Sequence, residues 1–150
     1  MQTFLPYRSF RRSARVLDRA RLGKQRVEAL QILRALTRPT YGWQHHPAVG
    51  MWRGHEDALV AYAAEICAEW CRRGSPDTCL EQILVERGVE SPRTQEELEA
   101  SGELPPWLGR RAFHRSHRSA LVRKQPEWYR HHFPTVPDDL PYVWPVRGQD

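Results

Sequence analysis

The sequence predicts an all-α protein: a compact, single-domain helical bundle with long loops and an extended, proline-rich C-terminal tail. Apolar residues recur at helical spacing in several segments, and no segment shows the strict alternation of apolar and polar residues that is typical of strands. A chain of 150 residues is long enough to bury a core and has the size of one domain. We therefore expect one domain over residues 1–150.

The first long helix is predicted from Ser13 to about Thr37, and it ends before Pro39 because the residue preceding a proline avoids the helical region. Steps of 100° per residue place these residues on its buried face: Leu22, Ala29, Leu30, Leu33 and Leu36. The same steps place these on its exposed face: Arg21, Lys24, Gln25, Glu28 and Gln31. Arg26 is a misfit beside the apolar stripe, and Gly23 would allow another group to approach closely.

The loop of residues 38–50 is rich in aromatic and imidazole side chains, and a second helix is predicted from about Met51 to Arg73. Its expected core residues are Trp52, Leu59, Tyr62, Ala63, Ile66 and Trp70. Its acidic residues are expected on a solvated face: Glu56, Asp57, Glu65 and Glu69. A third helix, capped by Asp77 or Thr78, should run to Arg87.

The remaining elements are shorter. Thr94-x-x-Glu97 has the form of a capping box for an acidic helix that ends near Gly102. A basic helix is predicted from Arg111 to Lys124, and Pro126 can start another short turn. The tail from Pro134 to Pro145 should lie extended over the body.

Charge is divided unevenly along the chain. Residues 1–55 contain 11 Lys/Arg but only two acids, Asp18 and Glu28, whereas residues 56–104 contain 4 Lys/Arg and 12 acids. Residues 105–150 are basic again, with 8 Lys/Arg and 4 acids. Two basic ends that build one positive surface favour a polyanion as the partner.

Cysteine usage and hydropathy limit the class of protein. The three cysteines, Cys67, Cys71 and Cys79, lack a zinc-like C-x-x-C pair, and we interpret them as reduced thiols, with Cys67 and Cys71 on the packed face of a helix. There is no run of about 18 apolar residues and no signal-peptide core. We expect a cytoplasmic monomer that does not enter a membrane.

Histidines and tryptophans are the next candidates. His114-x-x-His117 places two imidazoles on one helix face, but interleaved cations disfavour a divalent metal and no closed ligand spacing is present, so no metal site is predicted. His46, His114 and His117 are candidates for proton-shuttling or sugar-contacting groups. Trp43, on a loop, is a candidate for stacking on an unpaired base, whereas Trp128 and Tyr129 are expected in the core.

Glu28 admits two interpretations. It can bridge Lys24 at the i, i+4 spacing, which is the common role of a surface glutamate and contributes a few tenths of a kcal/mol. Alternatively, it is a carboxylate at the centre of a cationic, DNA-facing surface. An acid there repels phosphates, so its presence needs a benefit, which proton transfer at a sugar would supply.

Several segments together resemble one known family. They are MQTFLPYRSFRRSARVLDRARLGKQRVEALQILRAL, YGWQHHPAVGMWRGHEDAL, PPWLG, HRSHRSALVRK and VPDDLPYVWP. Over nearly the whole chain they are similar to small bacterial proteins grouped with the pyrimidine dimer DNA glycosylases, of the endonuclease V type. The Leu17–Leu33 helix aligns without a gap to the helix that carries the family's catalytic glutamate, which falls on Glu28.

The resemblance implies a compact, helical, cofactor-free glycosylase with associated AP lyase activity. In that family the chain's own α-amine attacks the sugar and forms a Schiff base, and the glutamate transfers protons. An α-amine suits this role, since its ordinary pKa of about 7.7–8 leaves far more free base at neutral pH than lysine does. Bulky Gln2 should keep Met1 in place, so the predicted catalytic pair is Met1 and Glu28. Val27 stands where the founding member has an arginine, a role that neighbouring Arg26 could take.

The predicted substrate is double-stranded DNA with a lesion, a modified base or an abasic site. The candidates for its phosphate surface are Arg8, Arg12, Arg21, Lys24, Arg26, Arg115, Arg118 and Lys124. Three alternatives stay open: a non-catalytic basic DNA-binding module, a lyase that acts only on abasic sites, and a histidine-ligated metal hydrolase.

Overall fold

A computed structural model describes residues 1–145. Over that range the regular secondary structure consists of helices without strands, as predicted. The eight helices are α1 (Phe10–Val16), α2 (Arg19–Thr37), α3 (Pro47–Gly50), α4 (Glu56–Arg72), α5 (Cys79–Arg87), α6 (Gln95–Ala100), α7 (Arg111–Lys124) and α8 (Pro126–Tyr129). No helix in this part of the chain is both long and apolar enough to cross a membrane.

The core forms where α2 packs against α4 and α5, while α1 covers another side of α4. Aromatic rings fill its centre, since Trp52 lies 5.0 Å from Trp107 and Phe10 lies 5.8 Å from Tyr62 between ring centroids. These four side chains are almost fully buried. Burial of large apolar rings is the main stabilising contribution in a helical protein of this size.

The predicted single helix from Ser13 to Thr37 is wrong, because the chain breaks at Leu17–Asp18 into α1 and α2. Leu17 has extended dihedrals (φ −69°, ψ 137°), as does Asp18, the N-cap of α2. The backbone N–H of Asp18 donates to the Tyr129 hydroxyl at 2.9 Å, and that hydroxyl donates to the Asp18 carboxylate. A tertiary contact with α8 therefore holds the break.

Other expectations need smaller corrections. The second helix begins at Glu56 rather than Met51, because residues 51–54 form turns that end at Gly54 with φ 84°. Cys71 is exposed instead of packed, Glu69 is buried between Arg72 and Arg73 instead of solvated, and Trp128 is 42% exposed. The predicted burial of Cys67 and Tyr129 is confirmed.

Two other predictions are confirmed. The hydroxyl of Thr94 accepts the Glu97 N–H at 3.1 Å, as a capping box requires. The tail lies extended along α7, where Ser119 and Ser116 accept the backbone N–H groups of Leu140 and Val143 at 3.0 and 3.1 Å.

Residues 2–6, which we call the N-terminal arm, are non-helical and buried. The arm lies among α2, α4 and α7, and side chains of all three helices bond it. Burial of a chain terminus is unusual, because terminal residues are commonly exposed and poorly ordered. The fold thus holds residues 2–6 in one position.

Candidate active site

Polar side chains from the surrounding helices satisfy the backbone of the arm. The Gln2 N–H donates to Oε2 of Glu28 at 3.3 Å, and the Phe4 N–H donates to Oε1 of Gln25 at 2.8 Å. The Phe4 carbonyl accepts the Tyr62 hydroxyl at 2.8 Å. Because buried backbone groups must be paired, these bonds hold the arm in one register.

Gln25 is the central residue of this network. Its amide nitrogen donates to the Gln2 carbonyl at 2.9 Å and to Glu28 at 3.0 Å. Its amide oxygen accepts from the Phe4 N–H at 2.8 Å and lies 2.8 Å from the Tyr62 hydroxyl, whose single hydrogen it shares with the Phe4 carbonyl. The expectation that Gln25 and Glu28 lie on an exposed face is wrong, because the arm covers that face of α2: Gln25 is 1% and Glu28 is 8% exposed.

His114 and His117 hold the next residue of the arm. Nδ1 of His114 lies 2.7 Å from the Leu5 carbonyl, and Nδ1 of His117 accepts the Leu5 N–H at 2.9 Å. Both rings are buried, and burial lowers the pKa of His114 and lowers that of His117 to about 3. The two histidines are therefore neutral near pH 7, and both bond the backbone of the arm, which leaves His117 with no exposed surface for the predicted contact with DNA.

A cavity of about 330 Å³ lies at the end of the arm, and we call it the amine cavity. Its lining includes Met1, Glu28 and three cations of the predicted phosphate surface, Arg21, Lys24 and Lys124. The i, i+4 bridge is present, with Nζ of Lys24 at 3.7 Å from Oε1 of Glu28. The α-amine is one residue away from the Gln2 amide that bonds Glu28, so Met1 and the Glu28 carboxylate share this cavity.

His46 and Trp43 belong to the loop beside this cavity. Nδ1 of His46 accepts the Ala48 N–H at 3.0 Å and caps α3. Burial and the charge of the α-ammonium lower the pKa of His46, and Glu28 acts in the opposite direction. His46 thus lies close enough to the amine and the carboxylate to respond to both. Trp43 is 64% exposed and contacts the His46 ring edge to face.

A second cavity of about 490 Å³, the arginine cavity, lies beyond the other end of the arm. Four cations line it, of which three were predicted as phosphate ligands: Arg8, Arg12, Arg111 and Arg118. Arg118 donates to the Pro6 carbonyl at 2.8 Å, and its pKa is lowered by burial and by the charges of Arg115 and Arg111. Arg8 is paired with Glu99 at 2.8 Å. Cations therefore outnumber acids at both ends of the arm, since only Glu96 and Glu99 accompany the four arginines of this cavity.

Arg26, a predicted phosphate ligand, contacts protein side chains instead of lining either cavity. Its guanidinium pairs with Oδ1 of Asp77 at 2.6 Å and stacks on the Trp70 ring at 4.3 Å. Asp77 in turn accepts the first amides of α5. This cation beside the apolar stripe joins α2 to α5, so it has a structural partner and lines neither cavity.

Sequence reasoning missed Gln2, Gln25 and Tyr142 as residues of the amine cavity. One signal could have identified Gln25. The arm carries adjacent apolar residues, Phe4 and Leu5, which need to be covered, and the polar face of α2 is where a returning chain would find side chains to satisfy its amides. Tyr142 offered no signal, because its position depends on how the tail crosses α7.

Within residues 1–145, no group of three or more His, Cys, Asp or Glu side chains is arranged to hold a metal ion. Comparison with known proteins gives one result. A family model described as pyrimidine dimer DNA glycosylase matches residues 1–82, which is more than half of the chain. No curated protein sequence and no solved structure matches the chain. The matched span contains the arm, Glu28 and Trp43, whereas α7 lies outside it.

Proposed function

The chain belongs to the pyrimidine dimer DNA glycosylase family, and on that premise we propose that it uses the Met1 α-amine as a Schiff-base nucleophile and Glu28 as the acid/base. Family membership makes the protein a DNA repair glycosylase whose substrate is DNA. The nucleophile, the associated AP lyase activity and the roles of the individual residues are our proposal. The observation that carries it is the hydrogen bond from the Gln2 amide to Glu28.

The hydrogen bonds between the arm and the surrounding helices support the catalytic roles proposed for Met1 and Glu28. The backbone of the arm accepts or donates hydrogen bonds at Gln2, Phe4 and Leu5, and the partners are buried side chains of α2, α4 and α7. Burying so many polar groups is costly unless they are paired, and pairing them requires one fixed geometry. Such a fixed geometry would hold the α-amine of Met1 close to Glu28, as a positioned nucleophile and acid/base require.

The proposed reaction balances as follows. The free α-amine forms a bond to C1′ while the C1′–base bond breaks, and the base leaves with the bonding pair and gains a proton from water. The Glu28 carboxylate takes a proton from the new nitrogen and delivers it to O4′ as the C1′–O4′ bond opens, which forms the iminium. The carboxylate then removes a C2′ proton, and the electrons expel the 3′-phosphate by β-elimination.

Cations at both ends of the arm would bind the DNA backbone. Residues 1–7 span at most about 20 Å, and that length of duplex carries about a dozen phosphates. Arg21, Lys24 and Lys124 at the amine cavity, with Arg8, Arg12 and Arg118 at the arginine cavity, are the proposed phosphate ligands. Arg115, exposed on α7, completes the set.

Borohydride trapping on duplex DNA with an abasic site tests the proposal. We expect a covalent adduct whose linkage maps to the Met1 nitrogen by peptide mass analysis. N-terminal acetylation should abolish the adduct. Tight DNA binding without any adduct would instead identify a non-catalytic DNA-binding module.

Glu28→Gln provides a second test of the proposal. We expect β-elimination to fall by two or more orders of magnitude, which is the usual contribution of a positioned acid/base, while DNA affinity stays equal or rises because one phosphate-repelling charge is gone. Glu81→Gln, in an exposed position on α5, is the matched control. Unchanged turnover in Glu28→Gln would remove Glu28 from the mechanism.

A panel of damaged duplexes separates a glycosylase from a lyase that acts only on abasic sites. Base release from at least one lesion, followed by strand cleavage, is the expected result. Cleavage of abasic DNA with no base released from any lesion would restrict the activity to the lyase step. Loss of activity with chelator, together with survival after N-terminal acetylation, would point to a metal hydrolase.

A further inference from the structure

Trp43 has an uncommon combination of backbone and side-chain properties. It is the one non-glycine residue in the described chain with a positive φ, at 69°, and its large apolar ring is 64% exposed. A bulky residue in the left-handed region is strained, and strain persists only where the surrounding structure enforces it. An exposed tryptophan also loses the burial that would stabilise it in a core.

Hydrogen bonds within the loop around Trp43 hold its backbone in this strained conformation. The side chain of Gln44 donates to the carbonyls of Arg38 and Pro39, both at 2.6 Å. Arg53 donates to the Gln44 carbonyl at 3.1 Å, and the His46 N–H donates to the Trp43 carbonyl at 3.0 Å. The loop is fixed by side chains on both sides of the strained residue, so the ring is presented in a set direction.

A row of rings connects Trp43 with the amine cavity. Trp43 and His46 have centroids 6.1 Å apart, His46 and Trp144 are 5.9 Å apart, and Trp144 and Tyr142 are 5.5 Å apart. Tyr142 lines the amine cavity together with Met1 and Glu28. The exposed ring therefore lies at the outer end of an aromatic row whose inner end is at the proposed reaction centre.

We propose that Trp43 enters the DNA duplex where the target nucleotide leaves the stack, and that its ring stacks on the unpaired base that remains. This inference rests on the proposed function and names the ligand of the loop: an unpaired base of duplex DNA beside the reacting sugar. Every base has a π-face, so stacking would make the site tolerant of sequence. His46 contacts the Trp43 ring directly, and Trp144 and Tyr142 support His46 through the row of rings.

The test uses a duplex with one tetrahydrofuran abasic analogue and 2-aminopurine opposite it. The analogue has no aldehyde and cannot form a Schiff base, so binding is measured without chemistry. We expect the wild-type protein to quench the 2-aminopurine fluorescence. Trp43→Ala should lose the quenching and bind this duplex about tenfold more weakly, in line with base–aromatic stacking. Affinity for an intact duplex should change little.

Three variants serve as controls. Trp43→Phe keeps a stacking ring and should retain most of the quenching. Trp43→Gly removes the ring but relieves the backbone strain, and it should behave like Trp43→Ala. Val85→Ala removes a 76%-exposed apolar side chain from α5, in the acidic part of the chain, and should behave as wild type. Circular dichroism of each variant verifies that it is folded.

The outcomes separate this inference from the proposed function. Full quenching by Trp43→Ala would overturn the stacking role, even if wild-type protein is trapped on abasic DNA. Quenching retained by Trp43→Gly but lost by Trp43→Ala would also overturn it, because loop geometry and not the ring would then be responsible. If trapping fails in wild type but quenching depends on Trp43, the stacking role stands and the proposed chemistry falls.

Discussion

Gln25 shows how one residue can set the position of a chain terminus. Both amide hydrogens and both acceptor directions of its side chain are used, by the Gln2 carbonyl, Glu28, the Phe4 N–H and Tyr62. A glutamate could not donate to the carbonyl or to the carboxylate. An apolar side chain could make none of the four bonds. Only an amide fits this environment, so we assign Gln25 a positioning role.

The near-isosteric change Gln25→Met should therefore be destabilising. It leaves several buried polar groups without partners, and we expect a loss of about 3 kcal/mol in the free energy of unfolding. Guanidinium denaturation followed by circular dichroism measures this loss. We also expect slower borohydride trapping at saturating DNA with little change in DNA affinity. Gln31→Met on the same helix is the control, and equal trapping rates for the two variants would contradict the positioning role.

Gly23 illustrates a second residue-scale constraint. A Cβ built there would lie 3.0 Å from two ring carbons of Trp70, and that ring cannot move freely. Its Nε1 donates to the Pro76 carbonyl at 3.1 Å, and the guanidiniums of Arg19 and Arg26 stack on it at 4.5 and 4.3 Å. Absence of a side chain at residue 23 is what lets the indole lie against α2.

Gly23→Ala should consequently destabilise the protein, although alanine is about 1 kcal/mol better than glycine within a helix. Overpacking typically costs about 1–3 kcal/mol, so we expect a net loss of about 1 kcal/mol in a urea unfolding experiment. Gly50→Ala is the matched control, because nothing lies within 4 Å of its added Cβ. A stabilised Gly23→Ala protein would show that Trp70 is free to shift.

At the scale of single residues, the sequence identified Glu28 correctly as an unusual acid but placed it on the wrong kind of surface. Helical periodicity assigns faces on the assumption that polar means exposed, and it cannot see the arm that covers Gln25 and Glu28. Helical periodicity also marked Arg26 as a misfit, because it places this cation beside the apolar stripe of α2. Its partner Asp77 is 51 residues away, a contact that spacing along one helix cannot predict.

At the scale of elements, α7 acts as the support of the arm through His114 and His117. Its bounds were predicted correctly from charge and periodicity, whereas the break between α1 and α2 was not, since Tyr129 of α8 creates it. The two imidazoles were predicted to contact DNA because they alternate with arginines. They are instead turned inward, and of the two cations beside them Arg115 is exposed whereas Arg118 is half-buried and bonds the Pro6 carbonyl.

The contact of neutral His117 with the arm should stabilise the protein less in acid. His117 has a pKa of about 3 in the folded chain, below its ordinary value of 6.5, so the unfolded state binds the extra proton between these values. The contribution of neutral His117 to the free energy of unfolding is therefore fully present above about pH 6.5. It is lost as the pH falls, by about 1.4 kcal/mol per pH unit. Guanidinium unfolding at pH 7.5 and 5.0 measures the slope. His117→Gln should flatten it, while His131→Gln, at an exposed position, should leave it unchanged.

At the scale of the whole molecule, opposite charges are separated along the chain, although some cations of the basic first segment pair with acids of the middle, as Arg8 does with Glu99. The acidic middle of the chain contains many internal ion pairs, such as Arg93 with Glu103 at 2.6 Å and Arg87 with Asp57 at 2.8 Å. The basic ends meet along the arm, where the amine cavity and the arginine cavity collect cations from α1, α2 and α7. Cations collected at these two cavities would orient a polyanion towards the arm before any specific contact forms.

The salt dependence of DNA binding tests this orientation. Each phosphate neutralised by a cation contributes a slope of about −0.9 to log K against log salt, so removing one phosphate ligand should lower the slope by about one. We expect this for Arg115→Gln, measured by fluorescence anisotropy between about 50 and 200 mM salt. Arg93→Gln removes an equal charge, but its guanidinium is engaged with Glu103 in the acidic middle, and its slope should match wild type. Equal effects of the two variants would mean that net charge alone, and not the basic surface along the arm, determines binding.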